Sequence, residues 1–341
     1  MSYFHLNLIL KGKLTVCCLL MLSVIPLNAQ REAKQIGDFK ESISLNEHLR
    51  GTKRTLQYCP DGDEFVCVNG KNRYTRALYG SHSPFRVETS DRPVFAFYNN
   101  GRGGNISFKV ILRDGTELAL DRTGYCESRY SAGKRTYYLT DPSWGKGELR
   151  ISVLALADMD GAIWRFSPSN MPKGAILRWQ HGGATGKRLS RNGDMGVDPA
   201  DCFELPAEAT DLVTGELALQ KEVYLVRGEV PEGYNVRKLY QQAEAASLAL
   251  ASHLKIETPD PYLNTLGGAL VAAADGIWDG QVWLHGAIGW RMPLSGWRAG
   301  YTGDALGWHD RARTHFDAYA ASQVTDVPNT IPHPAQDSTM N

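Results

Sequence analysis

The chain has 341 residues, enough for one large domain or two. Its 37 Lys and Arg balance 37 Asp and Glu, which argues against a nucleic-acid partner, since such a face is basic, and lends no support to electrostatic anchoring on a membrane. Apolar residues at 43% suffice for a core, and 34 glycines favour a turn-rich, largely β protein over an all-helical one.

Lys11 and Lys13 precede the apolar run Leu14 to Leu27, and Asn28-Ala29-Gln30 follows. A charged start, a short hydrophobic stretch and a small residue predict a signal peptide over 1–29, cut after Ala29. The run is too short for a good transmembrane helix. The mature chain is therefore expected in the periplasm or outside the cell, with no membrane attachment once the signal is removed. Residues 30–54 are polar, with Phe39, Ile43 and Leu45 as apolar anchors, and read as a leader segment.

Cys17 and Cys18 leave with the signal, and Cys59, Cys67, Cys126 and Cys202 remain. In an oxidising setting an even number suggests disulfides. Cys59 and Cys67 flank Pro60-Asp61-Gly62-Asp63, a turn sequence, so a disulfide across a hairpin is one reading and two thiols the other. The spacing fits no zinc site, and neither metal nor cofactor is expected.

From residue 55 to 230 the apolar period is two. Val94 to Tyr98 and Ile106 to Leu112 alternate, and Asp114-Gly115 predicts a two-residue hairpin turn before Glu117 to Leu120. Arg150 to Leu156, Ala162 to Phe166, Ala175 to Trp179 and Leu217 to Val226 continue the pattern. About ten to twelve short strands at even spacing predict a β-sandwich. Gly101-Arg102-Gly103-Gly104 lacks the lysine and helix of a phosphate loop and reads as a wide turn.

Pro231-Glu232-Gly233 marks a boundary. Asn235 to Leu254 then places apolar residues at spacings of three and four, a helix. Pro259-Asp260-Pro261 stops it and starts a second helix, Tyr262 to Trp278, apolar almost all round. A looped segment precedes a third helix over about 304–322, with Asp304 as its expected cap. Helices this apolar call for partners, so the helical domain 231–341 is expected to be incomplete.

Between Trp278 and Phe316 fall five of the eight tryptophans, with arginines, histidines and glycines between them. Sugar faces stack on indole and sugar hydroxyls pair with charged groups. The candidate substrate-binding residues are therefore Trp290, Arg291, Trp297, Arg298, Trp308 and His309. The competing reading is a Trp-rich core segment with solvated charges. His285, His309 and His315 fit no standard metal site. Neither a nucleophile elbow nor a dinucleotide fingerprint is present.

A sandwich followed by paired helices and a Trp/Arg-rich loop resembles exported bacterial glycosidases of the six-hairpin (α/α)6-toroid class. Asn72-Arg73-Tyr74-Thr75-Arg76-Ala77-Leu78-Tyr79-Gly80, Phe85-Arg86-Val87-Glu88 and the run from Trp290 to Arg298 look like the secreted bacterial family called domain of unknown function 4450. A looser resemblance is to the α-L-rhamnosidases of glycoside hydrolase family 78, through Gly296-Trp297 and Gly303-Asp304-Ala305. That family has an acidic pair before its Gly-Trp. Leu294-Ser295 stands there in this chain, so only Asp304 carries over.

The resemblance implies an N-terminal β-sandwich, 55–230, followed by the first helical hairpins of an incomplete (α/α)6 toroid, 231–341. It also implies hydrolysis of glycosidic bonds in a complex polysaccharide. Such chemistry needs two carboxylates. Asp304 and Asp310 are the candidates, yet six positions apart on one helix they face differently. Little or no turnover is expected of this chain as it stands. The alternatives are a non-catalytic carbohydrate-binding module and a structural piece. An oligo- or polysaccharide is the expected partner, and oligomeric state is left open.

Overall fold

The computed structural model describes residues 57–83, 85–99, 102–183, 212–230, 232–284 and 293–322, with side chains in the last range from Arg298 onward. The expected signal peptide and leader segment lie outside the described residues. The chain forms two compact units, Met1–Asp61 and Gly62–Asn341. The described part of the first ends in strand β1, Cys59–Asp61.

In the second unit the strands are β2 (Glu64–Val68), β3 (Arg76–Leu78), β4 (Arg86–Thr89), β5 (Phe95–Asn99), β6 (Arg102–Ile111) and β7 (Glu117–Ala119), followed by β8 (Tyr125–Ser131), β9 (Lys134–Thr140), β10 (Glu148–Ala155), β11 (Gly161–Ser169), β12 (Ile176–Gly183), β13 (Val213–Ala218) and β14 (Val223–Gly228). One antiparallel sheet runs β2-β8-β9-β10-β11-β14 within this unit. The other runs β13-β12-β6-β5-β4-β3, with β7 beside β6. Alternation along the strands sends one set of side chains inward. Phe95, Ile106, Phe108 and Val110 of one sheet share a core with Tyr137, Ile151, Val153 and Trp164 of the other. Phe95 sits edge-on to Tyr137 at 5.8 Å and to Trp164 at 5.6 Å, the preferred geometry for ring quadrupoles. Each such ring or aliphatic chain contributes roughly 1.5–3 kcal/mol by burial.

Arg102 to Gly104, expected in a wide turn, start strand β6 and pair with β5, and two further details of the strand reading change. The turn after β6 holds three residues, because Leu112 N–H bonds the Thr116 carbonyl at 2.9 Å and Gly115 takes a φ of 86°. That is a hairpin with its glycine in the left-handed position, not a two-residue turn. The single strand expected over Leu217 to Val226 is two strands in different sheets. Leu219 is buried and its N–H bonds the Ala175 carbonyl, and the chain crosses between sheets at 219–222.

The last strand ends at Gly228 and helix α1, Val236–Ala251, starts after the expected boundary. Asn235 caps α1 by accepting from Lys238 N–H, and Leu239, Tyr240 and Ala243 pack on Leu154 and Ile163 of the first sheet's outer face. Helix α2, Pro261–Gly276, is capped by Asp260 at the Tyr262 N–H, with Pro261 in the first turn. Helices α3 (Pro293–Ala305) and α4 (His309–Ala321) follow and pack together. No described helix is long and apolar enough to cross a membrane.

The third helix was expected over about 304–322 with Asp304 as its cap. The structure instead places Asp304 in the last turn of α3 and starts α4 at His309, with Gly307 at φ 80° between them. A left-handed glycine ends a helix and turns the chain. The stretch read as looped contains α3, whose glycines serve packing. A Cβ on Gly303 would stand 2.0 Å from Cη2 of Trp283.

Candidate functional site

Where the helices meet the sandwich within the second unit lies a cavity of about 250 Å³. Alanines from β10, α1 and α2 leave the space, and Tyr79, His82, Tyr130, Ser247, Asp275 and Arg311 bring polar atoms to it. Asp275 stands in the last turn of α2. Gly276 beside it has no Cβ, which would lie 2.1 Å from the Tyr79 ring. That absence lets the helix end sit on Tyr79. Ser81 and Ser83 both donate to Asp160 Oδ1, pinning the loop that carries His82.

The Asp275 carboxylate is the centre of the site. Arg311 Nη1 donates to its Oδ1 at 2.6 Å, and His82 Nε2 lies 3.2 Å from the same oxygen. An ionised carboxylate only accepts, so His82 donates through Nε2. Burial by itself raises the Asp275 carboxyl, but the bonds from His82 and Arg311 outweigh it and hold it below the usual aspartate range. Burial pushes the Tyr79 and Tyr130 hydroxyls upward, so both are neutral groups at neutral pH. The Asp275 side chain is 18% exposed, Arg311 30% and His82 37%, so the triad sits at the cavity mouth.

Arg311 ties this triad to the aromatic segment. Its guanidinium lies 4.8 Å from the Trp308 ring and 5.8 Å from Trp278. Trp308 stacks with His253 at 5.5 Å and with Trp283 at 6.4 Å. Trp278 and Trp283 are 6% and 1% exposed and form a small core with Ala312. Trp283 Nε1 donates to the Ala274 carbonyl, and its backbone N–H donates to the buried His315 Nδ1. These two indoles are packing groups.

Of the residues expected at the site, Trp308 and His309 start α4, and Arg298 is exposed on α3. Asp304 and Asp310 lie on different helices. Asp304 is 58% exposed and bonds His309 Nδ1 at 2.6 Å; Asp310 is 98% exposed and lies 3.9 Å from Arg313. The cavity's polar rim uses neither of them. Trp290 and Arg291 lie outside the described residues, as does the Trp297 side chain. Cys59 and Cys67 are both buried. Among the described residues no cluster of three His, Cys, Asp or Glu is placed to hold a metal ion.

The sequence reading missed His82 and Asp275. Asp275 had a visible signal: it is the lone charged residue between Tyr262 and Trp278, and a carboxylate on such a helix needs partners. His82 had none, since it lies 193 positions from Asp275.

Residues 100–230 match the model of a protein family described as a domain of unknown function (DUF4450). No curated protein matches the chain. The matched stretch covers strands β6 to β14, while the motifs that suggested this family lie before and after it. The family resemblance is thereby supported over residues 100–230, and strands β1 to β5 and the helices stand outside the match.

Proposed function

We propose that this is an exported glycoside-hydrolase-like protein of the six-hairpin (α/α)6-toroid kind, and that the activity of this chain is to hold polysaccharide rather than to cut it. The observation that carries the reading is Arg311, whose guanidinium joins an ionised carboxylate to an indole face at the mouth of a cavity. Indole faces take the apolar side of a sugar ring, and ionised side chains take its hydroxyls. Cleavage asks for a second, protonated acid across the scissile bond. Asp275 is held ionised by its two partners and is poorly suited to that role. Asp304, bonded to His309, is the remaining candidate acid.

The test is affinity electrophoresis of the purified chain through gels carrying a panel of neutral polysaccharides, alongside an assay for released reducing ends. Retardation by at least one glycan without release is expected. Arg311→Gln should weaken it about tenfold, the loss of one charge-assisted contact. Release of reducing ends that Asp304→Asn abolishes would establish the hydrolase instead. No retardation by any glycan would remove both readings.

A further inference from the structure

A larger cavity than the one at Asp275 lies on the sandwich, within the second unit. It is a cleft of about 550 Å³ between the loop 69–75 and the residues just before β8. Four cationic side chains line it, Lys71, Arg73, Arg92 and Arg122, against a single carboxylate, Asp121. The chain as a whole has no net charge, so this local excess of positive charge is a property of the cleft. Its size is that of a small-ligand site.

The cleft is built and held. Arg92 donates through Nη1 to the Asp121 and Thr123 carbonyls at 3.2 and 2.9 Å, and through Nη2 to Asn69 Oδ1 at 3.1 Å. All three acceptors are neutral, so the guanidinium is fixed in place while its charge is not cancelled by a carboxylate. Lys71 is exposed, and among the described residues it has no ion pair. Arg122 lies 3.7 Å from Asp121 and is 80% exposed, a pair of little energetic weight.

The loop itself is locked beneath these cations. The fully buried Asp91 accepts from Asn72 N–H at 2.9 Å, and the Ser90 hydroxyl accepts from Tyr74 N–H at 2.9 Å. Asn69 and Tyr74 are held at φ 50° and 52°. Left-handed backbone in a residue such as Tyr costs roughly 1–3 kcal/mol and persists only where its surroundings impose it.

A rigid cleft with several cations and one anion favours an oxyanion. We infer that it takes a sugar unit carrying a carboxylate or a sulfate, making it a second, anion-selective contact for an acidic polysaccharide. This inference rests on the reading that the chain holds polysaccharide. Guanidinium forks suit the planar carboxylate or the sulfate oxygens, with Lys71 as a point charge.

The experiment compares retardation by a polyuronate, a sulfated galactan and a neutral galactan for the intact chain and for Lys71→Gln/Arg122→Gln. Both substituted residues are exposed, and an unchanged melting midpoint verifies the fold. At least one anionic glycan should retard the intact chain more than the neutral one does. The double variant should bind it at least tenfold more weakly and with a shallower salt dependence. Lys71→Arg should retain binding, and so should Arg311→Gln for the anionic part of the interaction. The polyuronate and sulfated arms separate the two sources of the oxyanion. Neutral binding with no anionic preference overturns the inference and leaves the Asp275 site standing. Anionic binding unchanged in the double variant overturns it as well. Absence of binding to every glycan overturns both.

Discussion

Asp275 shows how one side chain couples the helices to the sandwich. Its carboxylate gathers a guanidinium from α4 and an imidazole from the loop before β4. Because its folded pKa lies below its ordinary value, its contribution is present above the unfolded value, about 3.9. That contribution is lost as pH falls through the folded value. Asp275→Asn should lower unfolding free energy by about 2 kcal/mol at pH 7, the size of hydrogen bonds to a charged group. In urea titrations the gap between the two proteins should stay flat down to about pH 5 and close below about pH 4. A gap that does not narrow at all as pH falls below about 4 would show that the asparagine harms packing instead.

Among the elements, α3 is the one whose composition misleads. Pro293-Leu294-Ser295-Gly296-Trp297-Arg298-Ala299-Gly300 reads as turn chemistry, and each glycine lowers helix propensity by about 1 kcal/mol. The helix forms because tertiary contact repays that loss. Gly303 faces Cη2 of Trp283, and Gly300 faces the Phe316 ring. Gly303→Ala improves intrinsic helicity yet forces a Cβ to 2.0 Å from an indole that is 1% exposed. Destabilisation of about 1–3 kcal/mol is expected, read as a lower melting midpoint. A rise in the midpoint would mean that Trp283 has room to move. Helices α1 and α2 are the converse case. Their spacing, Asn235 and Asp260 caps and Pro261 made them readable, and the structure uses all three signals.

At the scale of the molecule, the helices cover only part of their apolar surface. Val271 on α2 is fully buried, while its neighbour Leu270 is 51% exposed and Leu263 46%. The all-round apolar pattern of α2 calls for packing partners. In the second unit one face is enclosed. Val271→Ala should cost about 2 kcal/mol, and Leu270→Ala should change stability by less than about 0.5 kcal/mol. Equal losses in chemical denaturation would mean that the Leu270 face is covered in solution.

Strand alternation, the three-and-four spacing of α1 and α2 and the change of composition near Pro231 were readable because each depends on neighbours in the chain. The side-chain period and the caps are local physics. The split of 217–226 between two sheets was not readable, since alternation continues through the crossing and only the buried Leu219 marks it. The aromatic segment was found but its roles were not. Trp278 and Trp283 bridge one another and close into a core, whereas Trp308 stays half-buried beside Arg311. Composition is identical for an indole that packs and one that faces a ligand. Joining His82, Asp275 and Arg311, like gathering Lys71, Arg92 and Arg122 around one cleft, takes long-range folding. Such groups meet only after the sheets and helices dock, and no period along the chain records that meeting.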